Sequence, residues 1–314
     1  PLRRQRQMCI RDSLCCLLVS GGIIRAQSAA LPFVAMSFDS VEAGMAGCSL
    51  TDVGISKSNP TYSVMNDKMV QASAAWMNMS SSGSRTSYFS AGGGVRIKEK
   101  YAVSLNATYG LCEAYEIFNS GGYSLGMYRP YQLIAGVGFS YRPLKFLSVG
   151  VNLKYAGEKL YEEANYAAFV SDIALSSDLP LGQKGNIKLT AGVYSLGTRL
   201  KSLDGNAYSL PSSIRAEIAY FNVFSDKHRV GAVCGINVFL QKNATVSIAV
   251  WYDWNSMLTF RGGYHYGNAS KGVIPSYASL GLGVKFFGVS IDAAYLFASP
   301  VLKNSFALSA GYAF

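Results

Sequence analysis

The stretch Asn304-Ser305-Phe306-Ala307-Leu308-Ser309-Ala310-Gly311-Tyr312-Ala313-Phe314 decides the fold. Phe306, Leu308, Ala310, Tyr312 and Phe314 alternate with Ala307, Ser309, Gly311 and Ala313, so one face is apolar and the other small. A period of two is that of a β-strand. A strand this oily is an aggregation hazard at the edge of an open soluble sheet. A closed membrane barrel removes the edge and turns the oily face to lipid. An ordinary core strand is the alternative for this stretch alone, and the rest of the chain separates the two.

The same alternation recurs upstream. Tyr101, Val103, Leu105, Ala107, Tyr109 and Leu111 oppose Ala102, Ser104, Asn106, Thr108 and Gly110. Leu147, Val149, Val151, Leu153 and Tyr155 oppose Ser148, Gly150, Asn152 and Lys154. The pattern predicts fourteen strands, over 68–80, 84–97, 100–112, 131–142, 145–157, 165–178, 185–198, 212–224, 228–240, 243–254, 256–267, 275–286, 289–298 and 303–314. Each is long enough for the roughly 9–11 residues a tilted strand needs to cross a bilayer. An even count places both ends of the barrel sequence on one side of the membrane. Connections alternate in length, apart from two short outer ones near Gly83 and Lys242: short ones such as 98–100, 143–144 and 287–288, long ones such as 113–130, 199–211 and 268–274. That alternation suits short periplasmic turns and long outer loops. The fold expected is therefore an all-β, 14-stranded antiparallel transmembrane β-barrel with an N-terminal hatch.

Composition agrees. Charged residues make up 15% of the chain, with 32 Gly and 21 Tyr, against about a quarter charged in an ordinary soluble protein. Residues 3–12 back-translate to a transposase adapter used in sequencing libraries, so 1–12 is read as an artefact. Residues 13–26, with the apolar run Leu14–Ile24 and then Arg25-Ala26, read as a truncated signal peptide. Without these, the formal charge of +10 falls to +6 and three of six Cys remain, Cys48, Cys112 and Cys234. That excludes a disulfide framework and zinc-site spacing, and no basic stripe points to nucleic acid. Residues 27–67 lack alternation but carry Leu31, Phe33, Val34, Met36 and Phe38. They need a surface to pack on. The other strand face, mostly Gly, Ser, Ala, Asn and Thr with few charges, offers one. The segment 27–67, with one short helix near 41–50, is expected to be a hatch inside or under the barrel formed by 68–314.

A hatch followed by fourteen strands resembles the long-chain fatty acid transporter class of outer-membrane barrels. Ala30-Leu-Pro-Phe-Val-Ala-Met-Ser-Phe-Asp39, Ala43-Gly44-Met45-Ala46-Gly47 and Asn59-Pro60 resemble more specifically the N-terminus of the PorV/PorQ family of the type IX secretion system of Bacteroidetes. Val149–Tyr155, Tyr252–Tyr264 and Leu280–Phe286 are similar to its later strands. The sequence departs from the family pattern at Asp39-Ser40-Val41-Glu42, where an Arg is missing, and at Ala46, which replaces a Gly. The resemblance implies a Gram-negative outer-membrane location, protein secretion, and translocon subunits and cargo C-terminal domains as partners. It marks Phe33, Phe38, Asp39, Gly44, Gly47, Asn59 and Pro60 as the hatch residues. Tyr312 and Phe314 resemble the signal read by barrel-insertion machinery. The aromatic loop residues Tyr115, Ile117, Phe118, Tyr123 and Tyr128 are candidates for partner binding, or for packing on each other and on the rim.

Catalytic patterns are sparse. His228 and His265 fall at opposite membrane faces and cannot share a metal. His265 has Ser270 and Ser276 near it in sequence, a weak trace of a barrel lipase; Tyr264-His265-Tyr266 reads more simply as an interfacial strand end. Gly92-Gly93-Gly94 precedes no helix and is not a phosphate loop. No enzyme, cofactor or metal is expected. The alternative to a secretion adaptor is a transporter of a small hydrophobic ligand, with Phe33, Val34, Met36 and Phe38 lining a pocket between hatch and wall; Pro275 is the one weak sign of a wall gap.

Overall fold

The computed structural model describes residues 29–51, 54–81, 84–119, 121–161, 164–201, 207–241, 243–268, 274–299, 302 and 304–314. The expected adapter and signal peptide lie outside the described residues.

Eighteen strands occur in chain order: β1 (Val70–Ser81), β2 (Ser84–Ile97), β3 (Tyr101–Leu111), β4 (Tyr115–Phe118), β5 (Ser124–Tyr128), β6 (Tyr131–Leu144), β7 (Leu147–Tyr161), β8 (Ala164–Leu181), β9 (Gly185–Gly197), β10 (Leu200–Lys201), β11 (Ala207–Tyr208), β12 (Ser213–Ser225), β13 (His228–Phe239), β14 (Asn243–Trp254), β15 (Leu258–Tyr266), β16 (Tyr277–Phe286), β17 (Val289–Phe297) and β18 (Ser305–Ala313). Fourteen of them close into an antiparallel barrel, with β4–β5 and β10–β11 as separate hairpins in the long connections. The sequence places both in the long connections 113–130 and 199–211 without assigning them strands.

β18 pairs with β1 through the register Gln71 to Ala313 and Asn78 to Phe306, which closes the wall. Phe314 completes the seam: its carbonyl accepts from the amides of Met69 (2.7 Å) and Val70 (3.1 Å). No barrel strand is left with an open edge, the condition a bilayer imposes on a sheet.

The outward face is apolar along its length. Leu105 is 62% exposed, and Val137, Phe139, Ile248, Leu280 and Ile291 are likewise exposed. Ser140 beside Phe139, Ser279 beside Leu280 and Asp292 beside Ile291 point inward and are buried. Aromatic pairs mark both rims: Tyr101 stacks on Tyr141 at 5.0 Å beside a short turn, and Tyr109 meets Tyr131 at 5.8 Å beside a long loop. An apolar belt between aromatic girdles is the surface of a membrane barrel. Tyr312 and Phe314 belong to the short-turn girdle, with rings 5.6 Å apart.

The described residues of 29–67 lie against the inward face. A 3-10 turn, Pro32–Ala35, is followed by helices α1 (Ser40–Gly44) and α2 (Tyr62–Met65); the single helix expected near 41–50 is thus shorter and earlier. Asp39 caps α1 by accepting from the Val41 amide at 2.9 Å. The segment begins at the long-loop end, where the Ala30 amide donates to the Ser209 carbonyl. It ends at the short-turn end, where Pro60 abuts Gly150 and Ser63 abuts Gly94. Close approach needs glycine: a Cβ on Gly44 would stand 3.1 Å from the Gly281 Cα, and one on Gly150 would stand 2.5 Å from the Pro60 carbonyl.

Candidate functional site

The site is built where the lumenal segment meets the wall. Two buried carboxylates fix the segment's path. Glu42, fully buried on α1, accepts from the Ser37 hydroxyl, the Ser56 hydroxyl (2.5 Å) and the amides of Lys57 (3.0 Å) and Ser58 (3.1 Å). It draws the returning chain against the helix. Glu217, an inward residue of β12, accepts from the Ser49 amide and hydroxyl and from the Leu50 amide (2.9 Å). Irregular backbone must find partners inside a barrel, and these carboxylates supply them. Wall hydroxyls add more: Ser279 Oγ donates to the Gly44 carbonyl (3.2 Å) and accepts from the Ala46 amide (3.1 Å).

The inward face holds more charge than the sequence suggested. Lys154 pairs with Asp172, Arg215 with Glu217, Arg229 with Asp253 at 2.6 Å and Arg261 with Asp292 at 2.8 Å. Arg261 on β15 reaches Asp292 on β17 across β16, over Gly283, whose Cβ would collide with both groups. The expectation of few lumenal charges is corrected. Each ion sits at an inward position of the strand alternation and is neutralised by a partner on the same or a nearby strand. Such pairs cost desolvation and are tolerated only when matched.

A cavity of about 160 Å³ lies between segment and wall, and the Lys154–Asp172 and Arg215–Glu217 pairs are part of its lining. Met36 and Phe38 from the segment, with Met77, Ile134 and Leu296 from the wall, give it an apolar side. Tyr194, Arg215, Asn237, Thr245, Ser247 and His265 give it a polar one. The polar residues come from successive strands: Arg215, Asn237 and Thr245 stand in register across β12, β13 and β14, and Ser247, His265 and Tyr277 across β14, β15 and β16.

The expected hatch residues take distinct places. Phe38 packs on Tyr88 with centroids 4.2 Å apart and lines the cavity. Val34 and Met36 line it too, but Phe33 does not; it is buried in the apolar cluster with Leu210 and Leu302. Asp39 pairs with Lys57 at 3.0 Å. Gly47 turns the chain at φ 83°, and its carbonyl accepts from Arg215 at 2.5 Å. Asn59 Oδ1 accepts from the Thr61 amide (3.0 Å) and hydroxyl (2.8 Å).

The loop aromatics divide. Tyr115 and Tyr128 face each other at 5.8 Å, and the Tyr115 hydroxyl donates to the Leu160 carbonyl at 2.9 Å, so this pair packs on the rim. Ile117 is half-buried, while Phe118 and Tyr123 are exposed. Leu125 and Met127, which sequence reasoning missed, are more exposed than Phe118. His265 is a further correction. It does not sit at the lipid interface but turns inward, stacked on Tyr277 at 5.0 Å with Nδ1 at 2.8 Å from Ser247 Oγ. Ser276 instead bonds the backbone of Gly267; Ser270 lies outside the described residues. His228, beside a short turn, bonds the Tyr252 hydroxyl at 2.6 Å.

No protein-family model matches the sequence, and no curated protein does. Solved structures match the fold. The CymD monoaromatic hydrocarbon channel aligns at a TM-score of 0.55 and 13% identity, over 92% of this chain and 98% of that one. A mutant of the TodX monoaromatic hydrocarbon channel aligns at 0.54 and 13% over 88% and 98%. A FadL homologue of Pseudomonas aeruginosa aligns at 0.52 and 13% over 87% and 98%. These are outer-membrane barrels of the long-chain fatty acid transporter class, so the coarser of the two resemblances agrees with them in fold.

Proposed function

We propose that this chain is a Gram-negative outer-membrane channel that binds a small, mainly apolar molecule in its lumen and admits it past residues 29–67, which act as a hatch. The observation that carries this reading is the cavity lined by Met36 and Phe38 from the segment and by Met77, Ile134 and Leu296 from the wall. A concave apolar pocket with a few polar groups is the usual form of a small-molecule site. CymD and TodX are monoaromatic hydrocarbon channels, which supports the same broad ligand class here. The test is uptake of labelled toluene by a Gram-negative host lacking hydrocarbon channels, with and without this protein. Faster uptake is expected, lost on Ser247→Trp, which fills the cavity. Equal uptake in both hosts refutes the channel.

The secretion-adaptor reading keeps one specific observation in its favour. The β4–β5 hairpin exposes Phe118, Tyr123, Leu125 and Met127 together on an outer loop, an apolar group of the kind that marks contact sites. In the type IX secretion reading these residues contact translocon subunits or cargo C-terminal domains. Purification from outer membranes in mild detergent should then bring those proteins along, and the loss of Phe118 and Leu125 should release them. A barrel that comes alone leaves only the channel.

A further inference from the structure

We infer that the cavity favours a neutral, ring-sized molecule carrying a hydroxyl, such as an alkylphenol, over a bare hydrocarbon and over a carboxylate. This deepens the channel reading and rests on it. Three independent features of the lining lead to it.

Size comes first. At about 160 Å³ the cavity is on the scale of the roughly 150 Å³ engineered void that takes up benzene. That is the scale of one small ring.

Charge comes second. The described cations that line the cavity are each matched: Lys57 by Asp39 at 3.0 Å, Lys154 by Asp172, and Arg215 by Glu217. Arg215 also donates to the Gly47 carbonyl. A carboxylate entering here finds no uncommitted cation. It would lose its hydration and stand near three carboxylates already in place.

Hydrogen-bonding capacity comes third. The Tyr194 hydroxyl and Asn237 Oδ1 are both buried without a hydrogen-bond partner, and both residues line the cavity. They flank Arg215: its guanidinium lies 5.8 Å from the Tyr194 ring, and its backbone stands in register with Asn237. Tyr194 has a proton to donate, and Asn237 Oδ1 has a lone pair to fill. A hydroxyl accepts from the first and donates to the second. A hydrocarbon leaves both unpaired, the circumstance in which a polar site discriminates most strongly. The apolar side, with Met36, Phe38 and Ile134, takes the ring.

The experiment uses three probes of one shape: p-cresol, p-xylene and p-toluate. Each is titrated calorimetrically into the full chain in lipid nanodiscs, with empty nanodiscs subtracted. The expected result is p-cresol binding about 3- to 10-fold more tightly than p-xylene, the span of one neutral hydrogen bond, with p-toluate weakest at pH 7. Tyr194→Phe should lower p-cresol affinity by a similar factor and leave p-xylene unchanged, which a merely structural role for Tyr194 would not do. If p-xylene binds as well as p-cresol, or p-toluate binds best, the inference is overturned while the channel reading stands. If no probe binds above the empty nanodisc, both fail.

Discussion

Replacing Glu42 by alanine should free the lumenal segment without opening the wall. Glu42 is fully buried and accepts four hydrogen bonds, two of them from the amides of Lys57 and Ser58. Hydroxyls can turn to other partners, but those two amides cannot. An unsatisfied buried donor costs about 1–3 kcal/mol, so the pair costs about 2–6 kcal/mol. At tenfold per 1.4 kcal/mol, local opening of residues 56–58 should become at least about 30-fold more frequent. Native-state amide exchange reads this directly, because exchange from local opening follows its free energy. Lys57 and Ser58 should lose at least about 30-fold in protection. Amides within β1, bonded to β2 and β18, should keep theirs. If Lys57 and Ser58 exchange as slowly in Glu42→Ala as in the parent, the carboxylate does not hold the segment and the reasoning fails.

Three further predictions concern the wall and its contacts. Gly150→Val should displace residues 59–61, since even a Cβ would stand 2.5 Å from the Pro60 carbonyl; a cost of about 1–3 kcal/mol is expected for such overpacking, read as a lower urea midpoint for release of the segment. Leu105→Arg puts a charge at a mid-strand position facing lipid and should cost about 2–4 kcal/mol in refolding titrations with vesicles, whereas Leu105→Ile should be nearly neutral. Arg261→Met strands a buried Asp292 carboxylate and should cost about 3–5 kcal/mol, most of it recovered in the Arg261→Met, Asp292→Leu double variant; equal midpoints for both variants would contradict the pairing at 2.8 Å.

The wall was legible in the sequence because a period of two leaves a clear trace. Leu105 beside Asn106, or Leu308 beside Ser309, states which side of the sheet meets lipid. The outward segments and their boundaries follow from that, and so do the short and long ends. The apolar, unpatterned run from Leu31 to Phe38 also announced that something had to cover it. The charges were misjudged because ion pairs depend on register. Nothing local shows that Arg261 reaches Asp292, thirty-one positions away and across an intervening strand, with Gly283 leaving it room. The cavity was hidden for the same reason: Tyr194, Asn237 and His265 belong to three strands and come to one lining only through strand register. His265 looked interfacial beside Tyr264 and Tyr266, yet parity places it on the other face from both. That signal was available and would have found it. Leu125 and Met127 were missed because a four-residue strand paired with a five-residue one is too short to show a period.

The central claim is that residues 29–67 fill a closed barrel, and single-channel conductance in planar bilayers tests it most directly. The full chain should insert and remain nearly silent, because the segment crosses the lumen from Ala30 at the long loops to Pro60 at the short turns. A variant lacking 29–67 should insert as the same barrel and conduct ions steadily through its polar interior. A full chain that conducts as an open pore, or a deletion variant as silent as its parent, would contradict the account.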